Sequence, residues 1–173
     1  MSDLWLQTAS GLAFDLLDPK PEQICIGDIA TALSRLVRFT GHSPYSVAQH
    51  SVAVSRMVPA RHALAGLLHD SHEAYCGDVA TPIKRAIGPA WRTLEDRCWA
   101  AVAAKFGLDV TIPEEVKRAD LADLSNEKRA FLPHWPREWF PMPAPAGGDI
   151  RVWDAGEARA VFLGRFRELG GVT

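Results

Sequence analysis

The sequence lacks a strong charge of either sign, carries few cysteines and contains no long apolar run. Lysine and arginine total 19 against 21 aspartates and glutamates, a formal charge of −2 over 173 residues. Bulk electrostatics therefore draws the chain toward neither nucleic acid nor an anionic membrane, and an anionic ligand has to be held locally. No basic stripe runs along the chain, which sets nucleic-acid binding aside. Cys25, Cys76 and Cys98 are odd in number and widely spaced. They suggest neither a disulfide framework nor a cysteine zinc site, and read as small core residues in a reducing compartment. No stretch approaches the roughly eighteen apolar residues of a membrane helix. The opening MSDLWLQTASGLAF has neither a basic n-region nor an unbroken apolar h-region, so no membrane partner and a cytoplasmic location are expected.

What is present is an ordinary globular composition, 47% apolar and 23% charged. A chain of this length suffices for one domain, residues 1–173, that hides roughly 70% of its unfolded surface. Residues 4–17 alternate weakly around Ser10 and Gly11, which predicts a short β-hairpin within an appendage of residues 1–20. The remainder reads as helix. Asp28 is expected to cap a helix running to about Phe39, and Ser46 with Gln49 has the form of a capping box opening a helix that stops near Pro59. Further helices are predicted from about Arg61 to Tyr75, over one or two turns at TPIKRAI, from Pro89 to Gly107, and from Pro113 to about Leu132. A proline- and tryptophan-rich loop spans 133–153, and Asp154 with Glu157 opens a last helix over 154–171. The expected fold class is all-α with a short N-terminal β-hairpin.

Three of these helices carry a polar residue on the apolar side. At about 100° per residue, Val47, Val54, Met57 and Val58 share one arc, and His50 falls on its buried side. In the helix from Pro113, Asp120 sits within the arc of Val116, Leu121, Leu124 and Phe131. Ala63, Leu64, Leu67 and Leu68 fill one arc of a third helix, while His69, Asp70 and Glu73 fill the adjacent sector. A lone inward histidine is more often a hydrogen-bonded core residue than a ligand, and a lone inward aspartate is more often paired with arginine. The coincidence of three helices is what argues otherwise. An unpaired carboxylate in a dry interior costs several kcal/mol or more, and imidazole gives no lasting positive charge at neutral pH. A divalent metal held by two neutral imidazoles and two carboxylates satisfies both, with positions left open for water.

The phrases SVAQHS, LLHDSHEAYCGDVATPIK and KRADLADLSNE carry a recognisable pattern. His50, the pair His69 and Asp70, and Asp120 resemble the H…HD…D signature of the HD-domain metal-dependent phosphohydrolase superfamily. Within it, the chain is similar to bacterial 5'-deoxynucleotidases and to small bacterial and phage HD proteins, including phage dATP triphosphohydrolases. The segment TASGLAFDLLDP also resembles that small-protein group. The resemblance implies a compact HD-type helical bundle, His50, His69, Asp70 and Asp120 as metal ligands, and Glu73 as the catalytic glutamate. It further implies that Asp78, Lys84 and Arg35 contact substrate. The tryptophan that follows the arginine in the deoxynucleotidases is replaced by Leu36, and RFTGHSPY stands for their intervening segment. That departure makes Arg38 and His42 additional candidates for substrate contact, and Trp135 or Trp139 candidates to cover a nucleobase.

The expected function is hydrolysis of a (deoxy)nucleotide by metal-activated water attacking the α-phosphorus, as a 5'-deoxynucleotidase or a dNTP triphosphohydrolase. The alternatives are a cyclic-nucleotide or (p)ppGpp-type hydrolase of the same superfamily, and a non-catalytic metal-stabilised nucleotide-binding module. Zn²⁺, Mn²⁺, Co²⁺ and Fe²⁺ suit the ligand set, with Mg²⁺ a further candidate if it arrives with substrate. The expected partner is a small-molecule nucleotide, and the resemblance adds an expectation of a homo-oligomer.

Overall fold

The computed structural model describes residues 2–134, 136, 137 and 139–172, and these are mostly helical with a short antiparallel hairpin at the N-terminal end. The strands are β1 (Trp5–Gln7) and β2 (Ala13–Asp15), with Leu6 opposite Phe14. Eight helices follow: α1 (Ile26–Leu33), α2 (Val47–Met57), α3 (Ala63–Leu68), α4 (Glu73–Cys76), α5 (Thr81–Ile87), α6 (Pro89–Phe106), α7 (Glu114–Phe131) and α8 (Ala155–Glu168). Among these described residues no helix is long and apolar enough to cross a membrane.

The hairpin is an integral part of the core. Phe14 is fully buried and stacks on Tyr75 of α4 with ring centroids 3.9 Å apart; burying a phenylalanine side chain contributes about 1.5–3 kcal/mol. Its turn is fixed by Asp28, whose carboxylate accepts from Ser10 N at 2.7 Å and Ser10 Oγ at 2.6 Å. Asp28 is therefore a clasp on the hairpin instead of the expected helix cap, and α1 begins three residues earlier, after Cys25. The helix expected to reach Phe39 ends at Leu33. Phe39 and Thr40 adopt φ values of 58° and 55°, a left-handed turn that no right-handed helix can run through.

Helix α2 is the hub, packing against α1, α3, α7 and α8. Ser46 caps it as predicted, its Oγ accepting from Gln49 N at 3.2 Å. The Gln49 side chain does not complete the capping box. It donates to Arg151 O and accepts from Trp153 N, fastening the chain ahead of α8 to α2. Gly66 lets α3 lie close on α2, since a Cβ there would stand 3.1 Å from Ser55 Cα. The described residues of 133–153 are irregular, as expected, and are tied to α7: Pro143 O accepts from Ser125 Oγ and Ala146 N donates to Asn126 Oδ1. Helix α6 closes at Gly107, in the left-handed conformation at φ 65°, and Asp154 caps α8 by accepting from Glu157 N at 2.8 Å.

The helix expected over Arg61–Tyr75 is interrupted. Residues 69–72 form a tightened turn between α3 and α4, with Ser71 N bonding Leu68 O at 2.9 Å and Glu73 N bonding Asp70 O at 3.0 Å. Bonds between residues three apart give about three residues per turn, so side chains at i and i+3 eclipse. Asp70 and Glu73 consequently point the same way, where a regular helix would place Glu73 between His69 and Asp70.

Candidate metal centre

Three elements meet at one cluster: α2 brings His50, the tightened turn brings His69 and Asp70, and α7 brings Asp120. His50 is 0% exposed. Its Nε2 lies 3.2 Å from Asp120 Oδ1 and 3.5 Å from Asp70 Oδ2, and His69 Nε2 lies 3.3 Å from the same Asp70 oxygen. Asp120 is 42% exposed at its side chain, so it stands at the solvent edge of the cluster instead of inside the apolar arc, and Leu121 and Leu124 beside it are only half-buried.

The imidazole tautomers are set from behind. His69 Nδ1–H donates to Gly66 O at 2.8 Å. His50 Nδ1 sits between Asp123 Oδ2 at 3.0 Å and Glu127 Oε1 at 2.8 Å, both carboxylates buried. A proton on each Nδ1 leaves a lone pair on each Nε2, and both Nε2 atoms are buried without a hydrogen bond of regular geometry. Ligands about 2.0–2.2 Å from a common ion stand roughly 3.0–3.6 Å from their neighbours, and the three Nε2–carboxylate separations above fall in that range. The ligand atoms of His50, His69 and Asp120 all lie within 4.8 Å of one another, so these three and their orphaned nitrogens could hold a divalent ion, with Asp70 Oδ2 close to both imidazoles.

His50, Asp123 and Glu127 also cluster closely enough to share an ion. Their separations are hydrogen-bond lengths, however, and a cation already serves them: Arg38 Nε donates to Glu127 Oε2 at 3.1 Å, while Tyr45 Oη donates to Asp123 at 3.4 Å. That arrangement is the support behind a ligating histidine.

The electrostatics set a proton and an ion in competition for the cluster. Burial raises the carboxyls of Asp70, Asp120 and Glu127, but positive charge on the adjoining imidazoles and on Arg38 outweighs it and holds all three below the usual carboxylate range. Burial and Arg38 lower His50, yet Glu127, Asp120 and Asp123 prevail and raise it well above its usual value, so a divalent ion binds by displacing a proton from Nε2. Glu73 goes the other way from these carboxyls. Burial first, then the neighbouring Asp70 and Asp78 charges, push its carboxyl well above the usual value, and its buried Oε2 has no partner. Against the carboxylates of Asp70, Glu73, Asp78, Asp120, Asp123 and Glu127 stand the fixed cations Arg38 and Lys84, an imbalance a divalent ion reduces.

Of the remaining sequence candidates, Lys84 is at the site, with Nζ 3.9 Å from Glu73 Oε1 and 2.6 Å from Glu95 Oε1. Asp78 is half-buried and its charge acts on Arg38 and Glu73. Arg38 lies beside the cluster, engaged by Glu127 and standing 3.7 Å from Asp70 Oδ2. Arg35 and His42 are exposed and make no side-chain contact among the described residues. Trp135 lies outside the described residues, and Trp139 packs edge-on to Phe39 and under Lys128 Nζ. The sequence reading missed Asp123, Glu127 and Glu95. Asp123 and Glu127 stand three and seven residues after Asp120, on the same helical face, and that spacing was the available signal.

Fold and site together define a mostly helical protein with a buried histidine–carboxylate cluster able to hold a divalent ion. No family model matches the sequence. The chain is 36% identical over 171 residues to the uncharacterized protein YfdR of Escherichia coli (strain K12), covering 95% of each chain. It is 42% identical over 190 aligned positions to the uncharacterized protein RCAP_rcc00048 of Rhodobacter capsulatus, covering 98% of this chain and 97% of that one. The chain belongs to the family of these proteins.

Proposed function

We propose that the chain is a metal-dependent phosphohydrolase of the HD type that cleaves a (deoxy)nucleotide at its α-phosphorus, with His50, His69, Asp70 and Asp120 as the metal ligands. The observation that carries this reading is the pair of buried Nε2 lone pairs, each fixed by a bonded Nδ1–H, converging with Asp70 Oδ2 and Asp120 Oδ1.

A divalent ion there would draw charge off a phosphoryl oxygen and make water acidic enough to ionise near neutral pH. The chain's own residues supply the rest. Glu73 eclipses Asp70 and has an unpartnered Oε2, so it orients the attacking water by accepting its hydrogen bond and takes its proton at that oxygen. Lys84, beside Glu73, adds positive charge for a phosphoryl group. Arg38 stays engaged with Glu127 and keeps the wall behind His50 charged and rigid. A module that used an ion only for folding gives no role to the buried, unpartnered carboxylate of Glu73.

The test is a screen of nucleoside mono-, di- and triphosphates with Zn²⁺, Mn²⁺, Co²⁺, Fe²⁺ and Mg²⁺ supplied in turn, identifying both products. Nucleoside appearing with phosphate or with triphosphate is the expected result. Metal-loaded protein that leaves every nucleotide intact refutes the reading.

A further inference from the structure

A second compartment adjoins the metal centre. Between α5 and the first turns of α6 lies a cavity of about 550 Å³, lined by Thr81, Lys84, Arg85, Trp91, Arg92 and Glu95. Lys84 belongs to both sites, since its Nζ reaches Glu95 within the cavity and Glu73 at the metal centre. Glu95 is the acid among these residues. Burial raises its carboxyl, but the neighbouring His72, Lys84 and Trp91 prevail and bring it down to about 2, so it is ionised and matched by Lys84, 2.6 Å away.

That pairing leaves Arg85 and Arg92 in surplus. Neither has a side-chain acceptor among the described residues, although both line the same cavity. The indole N–H of Trp91 is buried beside Glu95 and helps to hold that carboxyl low. The cavity therefore offers two exposed, unpaired guanidiniums and a shared lysine. Helix α6 adds to the same field, for it starts at Pro89 with no side-chain cap and no acid in its first turn, whereas α7 opens on Glu114 and Glu115.

We propose that this cavity is a polyphosphate compartment. It takes the phosphates of a nucleoside di- or triphosphate that lie beyond the phosphorus attacked at the metal centre, with Arg85 and Arg92 as the binding cations and Lys84 as the bridge. A volume of this size falls within the usual range for ligand pockets and holds several phosphate groups, and guanidinium grips phosphate through paired N–H donors. The proposal rests on the phosphohydrolase reading for the identity of the ester, and on the cavity alone for its affinity toward polyphosphate.

Equilibrium dialysis of the full-length protein as isolated, with inorganic tripolyphosphate and orthophosphate as probes and protein-bound metal measured in the same samples, tests it without reading turnover. Tripolyphosphate should bind at least tenfold more tightly than orthophosphate, and the Arg85→Gln/Arg92→Gln pair should lose at least tenfold of that affinity. Each single substitution should lose part of it, so a folding failure of the pair leaves the test standing. Equal affinity for the two probes, or variants that bind tripolyphosphate as the wild type does, overturns the proposal. Tripolyphosphate binding of the expected kind in a protein that cleaves no nucleotide refutes the hydrolase reading alone. Nucleotide cleavage with tripolyphosphate affinity untouched in the variants refutes the compartment alone.

Discussion

Amide substitutions at Glu127 and Asp123 probe how His50 is held in the tautomer that can ligate. Glu127 is 0% exposed and divides its oxygens, one toward Arg38 Nε at 3.1 Å and one toward His50 Nδ1 at 2.8 Å. In Glu127→Gln the amide oxygen must stay with Arg38, because a guanidinium has no acceptor to offer an NH₂. The amide nitrogen then faces His50 Nδ1, and two donors meet. His50 relieves the conflict by turning toward Asp123, 3.0 Å away, or by moving its proton to Nε2, where it blocks an ion. Losing one such support costs about 10–100-fold in metal affinity, equivalent to roughly 1.4–2.7 kcal/mol. The single variant, with Asp123 still able to accept, belongs at the tenfold end, and the Asp123→Asn/Glu127→Gln pair near a hundredfold. Competition against a chromophoric chelator measures the affinity, histidine ¹⁵N shifts report the tautomer, and thermal melts of the metal-free protein check the fold. A pair variant that binds within threefold of wild type, with Nδ1 still protonated, refutes the reasoning. His69→Gln distinguishes the two ways the cluster can hold an ion: affinity falls if the ion lies between the two Nε2 atoms and is unchanged if it lies among His50, Asp123 and Glu127.

Three shorter predictions follow from the same geometry. Glu73→Gln should bind metal within a few fold of wild type yet lose at least a hundredfold in turnover, in keeping with general acid–base contributions of about 10²–10⁴; nucleotide cleavage at the wild-type rate excludes the proton-transfer role. The Glu95 carboxyl is brought from 4.5 down to about 2, so its interactions stabilise the fold fully above pH 4.5 and fade as pH falls through 2. The difference in melting temperature between wild type and Glu95→Gln should accordingly shrink across that window, and a gap that persists unchanged to pH 2 contradicts the assignment. Gly66→Val places a Cβ 3.1 Å from Ser55 Cα and 3.2 Å from Val58 Cγ2, which pushes α3 off α2. Urea denaturation should register a loss of about 1–3 kcal/mol, and metal affinity should fall with it because Gly66 O positions His69; an unaltered midpoint refutes the close-packing argument.

The elements most legible in the sequence were those whose ends are chemically marked. Helices α6, α7 and α8 start and stop where Pro89, Gly107, Pro113 and Asp154 require. Errors fell where a side chain serves a distant partner in place of its own helix. Asp28 has the chemistry of a cap but reaches back 18 residues to the hairpin, and Gln49 leaves its capping box for a backbone more than a hundred residues away. The site divides in the same way. His50, His69, Asp70 and Asp120 stood out because each broke an apolar pattern on its own helix. Asp123 and Glu127 break no apolar pattern, since α7 is rich in charge. A helix face turned to a buried histidine and one turned to water can have the same composition, and the difference lies in which cation comes to meet them. Here that cation is Arg38, 89 residues earlier in the chain than Glu127, a relation no local spacing encodes. The sequence marks Arg38 only as a candidate contact for substrate, whereas its partners are the buried Glu127 behind the imidazole and Asp70 beside it, which makes it the counter-charge that renders those acids tolerable.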